Sequence, residues 1–362
     1  MAERKVNFNP GPSTLPLPVL ENVRENMVDY QGSGMSFLEI SHRSPEFMRI
    51  HQHTQDLLKE LLGIPENYKV LFMGGGASTQ FAMIPMNFLT RDGSADYINT
   101  GTWSKKAIAE AKRFGGVNVA GDTSGDNFNH LPEISELKLD ANARYVHITS
   151  NNTIFGTQFH TFPETGNVPL ISDMSSDILS HELDVSTFGM IYAGAQKNLG
   201  PAGVTVIILR EDMLEMAGED LPTMLSYKTH VDKDSMFNTP PTGPIYMVEQ
   251  VLEWVKTQGG LKAVEQMNRE KAGLLYDAID NSDGWYRGAV VKKEHRSWMN
   301  VTMRLPSEDL EKKFIAEGAE KGLHGLKGHR SVGGIRASIY NAMPREGVER
   351  LVEFMNAFKA EN

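Results

Sequence analysis

The chain has 362 residues, a length that predicts two domains or one large α/β domain with a smaller appended unit. Its net charge of -10 argues against a broad binding surface for nucleic acid or anionic lipid. Because it has no cysteine, disulfides, a thiol nucleophile and cysteine-bound zinc are excluded, and we expect a cytoplasmic protein without a metal site.

The chain begins with a turn-rich arm, residues 1–18, that contains no hydrophobic signal core. The longest apolar run, residues 204–209, is too short to cross a bilayer, so we expect no membrane insertion. Two helices are predicted after the arm, at residues 19–27 and 45–62. The second has apolar residues at helical spacing and ends at Gly63.

Seven short apolar runs then alternate with helix-length segments, which predicts a mostly parallel sheet covered on both faces. The predicted strands are residues 70–73, 95–99, 117–120, 145–149, 169–173, 190–193 and 204–209. A tight turn joins the last two, so we expect them to form an antiparallel hairpin at the edge of the sheet.

A rigid loop, residues 237–244, carries paired prolines and precedes a predicted helix at residues 246–256. The two glycines at residues 259–260 then mark a boundary. The elements predicted beyond it form a small α+β domain, with helices at residues 261–279, 310–318 and 346–359 and strands at residues 298–304 and 335–339. We therefore divide the chain into an arm (1–18), a large domain (19–258) and a small C-terminal domain (259–362).

A phosphate-binding loop, called here the phosphate cup, is predicted after the first strand, where three glycines (residues 74–76) precede Ser78 and Thr79. Backbone N–H groups, two hydroxyls and the positive end of a helix dipole would all favour an anion there. The spacing matches neither a Walker loop nor the glycine pattern of dinucleotide-binding folds. Taken alone, the glycines are equally consistent with a tight turn.

Two ionisable residues follow later strands. Asp173 ends a buried strand, where it would ionise only against a cation such as a protonated ring nitrogen. Lys197 follows another strand among small residues, where loss of solvation would lower its pKa and make it a nucleophile. Taken alone, such an acid more often caps a helix and such a lysine more often lies in a solvated loop.

The order of these signals is that of a pyridoxal-phosphate enzyme. The phosphate cup comes first, the acid for the ring nitrogen second, and the lysine that bonds the aldehyde as a Schiff base third. Trp103, after another strand, offers a flat face for the ring, although a core tryptophan is the alternative interpretation.

Seven segments closely resemble the phosphoserine aminotransferase family, and the resemblance runs from about residue 6 to the C-terminus. They are FNPGP (8–12), SHRS (41–44), GGGASTQF (74–81), TSNNTIFGTQ (149–158), DMSSD (173–177), AQKNLG (195–200) and GHRSVGGIRAS (328–338). The resemblance implies a class-V, fold-type I pyridoxal-phosphate transferase, with a mostly parallel seven-stranded large domain and a small α+β domain. It also implies a homodimer with shared active sites.

The resemblance implies a role for each matching residue. Lys197 would form the internal aldimine and then move the proton between the substrate Cα and the cofactor. Asp173 would pair with the ring nitrogen, and Trp103 would stack on the ring. The other implied cofactor contacts are Thr153 at the phenolic oxygen, Ala77, Ser78 and Gln196 at the phosphate, and Asn238 and Thr239 at the phosphate of the neighbouring subunit's cofactor.

The substrate residues follow in the same way, and planar guanidinium groups suit both a carboxylate and a phosphate. Arg336 resembles the group that binds the α-carboxylate. The implied contacts to the substrate phosphate, or to the side-chain carboxylate of glutamate, are His42, Arg43, His329 and Arg330. Some relatives carry arginine at the position of Ala77 and serine at the position of Pro10. The contacts that those arginine and serine side chains make are therefore not expected in this chain.

The predicted reaction is transamination between L-glutamate and 3-phosphohydroxypyruvate in serine biosynthesis, with the phosphorylated threonine analogue of vitamin B6 synthesis as a second substrate. Another class-V enzyme, such as an alanine–glyoxylate transaminase, is the nearest alternative, but it has no phosphate to bind. A nicotinamide-dependent oxidoreductase and a non-catalytic phosphosugar-binding protein are more distant alternatives. The glycine spacing of this chain does not match that of a nicotinamide-dependent oxidoreductase. A non-catalytic protein would not explain the position of Lys197.

Overall fold

A computed structural model describes residues 4–218 and 220–362 of the chain. Its strands are, in chain order, β1 (Val6–Asn7), β2 (Tyr68–Met73), β3 (Ser94–Asn99), β4 (Gly116–Asp122), β5 (Val146–Thr149), β6 (Leu170–Asp173), β7 (Met190–Gly194), β8 (Thr205–Arg210), β9 (Arg287–Gly288), β10 (Asn300–Arg304), β11 (Leu323–His324) and β12 (Ile335–Ser338). Its α-helices are α1 (Leu17–Asn26), α2 (Pro45–Leu62), α3 (Gly76–Phe88), α4 (Thr102–Ala111), α5 (Tyr227–Asp232), α6 (Thr242–Thr257), α7 (Gly260–Asp280), α8 (Glu308–Glu320) and α9 (Arg345–Glu361). None of the helices in these described ranges is both long and apolar enough to cross a bilayer.

The seven predicted strands form one sheet in the order β2-β8-β7-β6-β5-β3-β4. Five of them, β3 to β7, run parallel to one another. Parallel neighbours need crossover connections, and α3 and α4 supply helices that pack on the sheet. The predicted α/β fold with a mostly parallel seven-stranded sheet is therefore confirmed.

The predicted position of the last hairpin is wrong in one respect. β7 and β8 pair antiparallel as expected, but β8 also pairs along its whole length with β2. β8 is therefore an interior strand, and β2 lies at the edge of the sheet. The apolar side chains from Val206 to Leu209 are all buried, as expected for a strand with covered faces and a neighbour on each side.

The alternation of side chains along β8 separates two apolar cores. Val206 and Ile208 lie in the core that includes residues of α2 and α6, whereas Ile207 and Leu209 lie in the core that includes residues of α3 and α4. Both faces of the sheet are thus packed against helices. This packing holds the strand ends, where the predicted site residues lie.

A further core lies in the C-terminal part of the chain. The antiparallel strands β9, β10 and β12 pack with α7, α8 and α9 around aromatic side chains such as Phe314 and Phe358. The helix α7 contributes to two cores, because its first residues (Leu261 and Val264) belong to the large sheet's core and Leu275 belongs to the C-terminal one.

The N-terminal arm packs against the C-terminal part of the chain. β1 pairs in parallel with β11, and Phe8 is fully buried in the C-terminal core. The division into an arm, a large domain and a small domain stays a prediction. We propose that residues 6–8 belong to the small domain, because their contacts lie there.

Local sequence signals explain the helix ends. Ser44 Oγ caps α2 by accepting a hydrogen bond from the third helical backbone N–H at 3.4 Å, and Gly63 ends it in a left-handed conformation with φ of 60°. The rigid loop predicted at residues 237–244 is shorter than expected, because α6 begins at Thr242. Pro244 lies in the first turn of α6, where a missing N–H breaks no helical hydrogen bond.

Candidate active site

A cavity of about 280 Å³ opens at the edge of the sheet where the parallel strands end. Thr149 is the last residue of β5, Asp173 is the last residue of β6, and Lys197 follows β7. Trp103 lies at the start of α4, directly after β3. Because the carboxyl ends of parallel strands share one edge, side chains that are far apart in the sequence meet here.

Most of the predicted site residues line this cavity: Ala77, Ser78, Trp103, Thr153, Asp173, Gln196, Lys197, His329 and Arg336. The other predicted residues are not among its lining residues: His42, Arg43, Asn238, Thr239 and Arg330. The first set contains every residue expected to contact a cofactor within one subunit.

The glycine-rich loop after β2 borders the cavity. Gly75 and Gly76 adopt φ of 88° and 65°, and a Cβ on Gly75 would lie 2.0 Å from Thr79 Oγ1. The predicted hydroxyl donor at Thr79 is turned away from a ligand, because it donates to Gly75 O at 3.0 Å. Ala77 and Ser78 lie in the first turn of α3, where backbone N–H groups have no helical acceptor. These N–H groups provide an anion site.

Lys197 is a half-buried residue of the cavity wall. Its Nζ donates a hydrogen bond to Thr153 Oγ1 at 2.6 Å. Burial lowers its pKa to about 8, with Asp173 and Asp177 opposing the shift and Arg336 adding to it. The predicted loss of solvation therefore occurs, and a substantial fraction of the amine is neutral near pH 8.

Asp173 is a buried carboxyl, and its surroundings offset only part of the cost of burying its charged form. Burial raises its pKa, while hydrogen bonding by Ser175 and the charge of Lys197 oppose the shift. Its Oδ1 accepts a hydrogen bond from the Ser175 backbone N–H at 3.0 Å. A carboxyl in this position is stabilised as an anion only when a cation joins it, such as a protonated ring nitrogen.

Three buried polar atoms at the cavity have no hydrogen-bond partner among the described residues. They are Trp103 Nε1, Thr149 Oγ1 and Arg336 Nε. Buried donors are normally satisfied, because an unpaired one costs about 1–3 kcal/mol. In the cavity these atoms are free to bind a ligand that carries hydrogen-bond acceptors. The guanidinium of Arg336 is also held in position by a hydrogen bond from its Nη1 to Thr153 O at 3.2 Å.

The basic side of the cavity is lined by His329 and Arg336, and two further cations, Arg330 and Lys106, act on it from outside the lining. The pKa of His329 is lowered by its partial burial and by the positive charges of Arg336, Arg330 and Lys106. Ser331 Oγ lies 2.7 Å from His329 Nδ1. Arg330 is exposed and does not line the cavity, so it acts there only through the electrostatic field of its charge.

Three of the predicted residues outside this cavity, His42, Asn238 and Thr239, lie together on another surface. Asn238 and Thr239 line a second cavity of about 490 Å³, which shares Gly74 and Gly75 with the glycine-rich loop. His42 Nδ1 lies 3.4 Å from Thr239 Oγ1, so the 41–44 segment and the 237–239 loop are in contact.

Sequence reasoning missed several lining residues, among them Thr149 and Ser175. Both belong to the segments 149–158 and 173–177, so their position at strand ends was the available signal. Ser175 Oγ accepts a hydrogen bond from the Gly194 backbone N–H at 3.1 Å, which ties the turn after β6 to β7.

Asp177 is a second buried acid that sequence reasoning did not single out. It accepts hydrogen bonds from Ser150 Oγ at 2.5 Å and from Gln158 Nε2 at 3.3 Å. Burial raises its pKa to about 7. Gln158 Oε1 in turn accepts a hydrogen bond from the Trp298 backbone N–H at 2.9 Å, so this acid lies in a network that reaches the C-terminal part of the chain.

Comparisons with known proteins show which family the chain is similar to. A family model described as aminotransferase class-V matches residues 5–351. The chain is 55% identical over 359 residues to the phosphoserine aminotransferase of Niallia circulans, with 99% of each chain covered. It is similar to the solved phosphoserine aminotransferase from Bacillus circulans subsp. alkalophilus, with a TM-score of 0.98, 55% identity and 99% of each chain covered. A pyridoxal-phosphate-bound phosphoserine aminotransferase from Trichomonas vaginalis is 41% identical, with a TM-score of 0.92, and the match covers 98% of this chain and 100% of that one.

Proposed function

The chain belongs to the class-V aminotransferase family, and we propose that it transfers the amino group of L-glutamate to 3-phosphohydroxypyruvate, giving 2-oxoglutarate and O-phospho-L-serine. It is an aminotransferase, and its cofactor is pyridoxal phosphate. The observation that carries the proposal is that the half-buried Lys197 and the buried Asp173 line one cavity together with unpartnered hydrogen-bond donors.

The cavity fits this cofactor in charge and shape. The buried acid Asp173 suits a protonated ring nitrogen, the half-buried indole of Trp103 suits a flat ring, and the first turn of α3 suits a phosphate. We propose as further cofactor contacts Thr153, Ala77, Ser78 and Gln196, which also line the cavity. The cofactor, when bound, supplies an aldehyde carbon that accepts the amino group and a ring that accepts electron density.

Lys197 would act as the base and acid of the reaction. Its lowered pKa means that the neutral amine, which can remove the proton from the substrate Cα, is substantially populated near pH 8. Thr153 Oγ1 accepts a hydrogen bond from Nζ and orients it. Asp173 would contribute electrostatically, because its carboxylate stabilises positive charge across the cavity without moving a proton itself.

The substrate anions would bind on the basic side of the cavity. Arg336 has an unpartnered Nε and would bind the α-carboxylate in a bidentate manner. His329 and Arg330 would take the phosphate of phosphoserine or the side-chain carboxylate of glutamate. A glyoxylate-dependent enzyme has no second anion to bind, so this basic side favours the phosphorylated substrate.

We propose that His42, Arg43, Asn238 and Thr239 serve the cavity of a second copy in a homodimer. The contact between His42 and Thr239 supports this, because it places the 41–44 segment and the 237–239 loop on one surface. None of these four residues lines the cavity that contains Lys197 of the same chain. The surface there is partly apolar: Leu38 is 55% exposed and Phe237 is 45% exposed. Exposed apolar side chains in such a group are typical of an interface.

The same contacts would accept 4-phosphohydroxy-L-threonine, which carries the same α-carboxylate and phosphate around a longer carbon chain. We therefore propose serine biosynthesis as the main role, vitamin B6 synthesis as a second one, and the cytoplasm as the location. The proposed partners are these small-molecule substrates and a second copy of the chain.

The proposal is tested by assaying the cofactor-loaded protein with two donor–acceptor pairs. We expect kcat/KM with O-phospho-L-serine and 2-oxoglutarate to exceed kcat/KM with L-alanine and glyoxylate by at least about a hundredfold, since the second anion would contribute about 3 kcal/mol. A preference for alanine and glyoxylate would contradict it. Borohydride treatment followed by peptide mass mapping should locate the cofactor on Lys197.

A further inference from the structure

The helix α4 places a further basic residue beside the candidate cavity. Trp103 and Lys106 are three residues apart, so they lie on one face of this helix. Lys106 Nζ lies 4.5 Å from the centroid of the Trp103 ring. Trp103 lines the cavity, and Lys106 is exposed beside it.

The charge of Lys106 acts on the basic side of the cavity. It is one of three positive charges that lower the pKa of His329, together with Arg336 and Arg330. In residues 4–218 and 220–362 no carboxylate forms an ion pair with Lys106. Its charge is therefore not neutralised locally, although the whole chain is acidic.

Few of the cations that line the cavity are available to a substrate phosphate. The glycine-rich segment GGGASTQ, residues 74–80, carries no cation. Among the cations that line the cavity, Lys197 is assigned to the reacting carbon and Arg336 to the α-carboxylate. Within the same chain, two nearby cations, Arg330 and Lys106, act on His329, in addition to the Arg43 that a second copy would supply in the proposed dimer.

We propose that Lys106 is a further cation of the substrate-phosphate site, and that it favours a phosphate over a carboxylate as the second anion of the substrate. This inference rests on the proposed function. At a fixed distance Coulomb attraction is proportional to charge, so a phosphate with two negative charges gains about twice the interaction energy of a carboxylate. Because Lys106 is exposed, salt would screen the effect.

The neighbouring lysine provides a matched control. Lys105 is also exposed and lies on the same helix, but its Nζ lies 4.9 Å from the ring centroid of Phe128. Its charge lowers the pKa of Asp122, and it is not among the charges acting on His329. The variants Lys105→Gln and Lys106→Gln therefore remove the same charge from neighbouring positions.

The test measures kcat/KM for O-phospho-L-serine and for L-glutamate separately, with the native protein and both variants loaded with cofactor. For Lys106→Gln we expect a loss of about fivefold with phosphoserine and about twofold with glutamate, from an increased KM at nearly constant kcat. The loss of kcat/KM with phosphoserine should be smaller in 0.5 M salt, because the Debye length there is about 4 Å and the exposed charge is screened. Lys106→Arg should keep the native ratio of the two kcat/KM values, and so should Lys105→Gln.

Two results would overturn the inference: an unchanged ratio in Lys106→Gln, or an equal change in Lys105→Gln. Either would leave the proposed function intact, because the native protein would still use phosphoserine. Failure of the native protein to use phosphoserine would instead contradict the proposed function, and the role of Lys106 with it.

Discussion

Lys197 and Thr153 are in direct contact, since Lys197 Nζ donates a 2.6 Å hydrogen bond to Thr153 Oγ1. The backbone carbonyl of Thr153 also accepts a hydrogen bond from Arg336 Nη1 at 3.2 Å. One residue therefore orients both the amine that would move the proton and the guanidinium that would bind the α-carboxylate. Its side chain does the first and its backbone the second, so substitution can separate the two.

Replacing Thr153 with valine should impair the chemical step more than substrate binding. Valine has nearly the same shape but no acceptor for Lys197 Nζ, whereas the carbonyl that holds Arg336 remains. We expect kcat to fall about tenfold, the equivalent of one lost hydrogen bond to a charged or reacting group, with KM within about twofold. Thr153→Ser keeps the hydroxyl and should retain most of the activity. An equal loss in both variants would show that packing, not the hydroxyl, is what matters.

Gly75→Ala should weaken cofactor binding and stability, whereas Gly74→Ala should not. Gly75 has φ of 88° and its Cβ would lie 2.0 Å from Thr79 Oγ1, while a Cβ on Gly74 meets nothing within 4 Å. We expect Gly75→Ala to lower the free energy of unfolding by about 2 kcal/mol, from strain in the left-handed region and the displaced Thr79. Urea unfolding and cofactor titration of both variants measure this. Equal effects would mean that the loop tolerates a side chain at either position.

Much of the fold could be predicted because the buried strands are apolar runs and their helices have clear ends. The α2 boundaries follow from Ser44 and Gly63, whose capping is a local interaction. The interior position of β8 could not be predicted in this way, because it depends on pairing with β2, a strand from a much earlier part of the chain. Local sequence sets an element's type, but its neighbours are set by the packing of the whole sheet.

The same distinction applies to the candidate site. Lys197 and Asp173 could be singled out because each follows an apolar strand, and strand ends converge at one edge. Asp177 could not, since its burial depends on Gln158 and the backbone of Trp298, which tertiary packing brings to it. Nor does spacing indicate that His42 contacts Thr239, because this contact joins two distant loops.

Asp177 should make the stability of the protein depend on pH between about 4 and 7. Its folded-state pKa is raised by burial to about 7, above the ordinary value of 3.8, so in this range the folded state holds a proton that the unfolded state has lost. Stability from this group therefore falls as pH rises from about 4 to 7 and is constant above that. Asp177→Asn keeps a neutral polar group and removes the titration. From urea unfolding at pH 5 and pH 7, we expect the native protein to lose more stability than the variant; parallel changes would show that Asp177 is ionised in the folded state at pH 5.

Two inactive variants should restore activity when their subunits mix. Lys197→Ala removes the proton-transfer group and should reduce kcat by about a thousandfold or more. Arg43→Ala removes a guanidinium that, in the proposed dimer, serves the partner's cavity, since Arg43 does not line its own. A mixed dimer has one cavity with both Lys197 and the partner's guanidinium intact, so random exchange of subunits should recover about a quarter of native activity. We would refold the two variants together and compare the activity with that of each refolded alone. Activity no greater than the sum of the two would place Arg43 at the cavity of its own chain, or show that the protein is not a dimer.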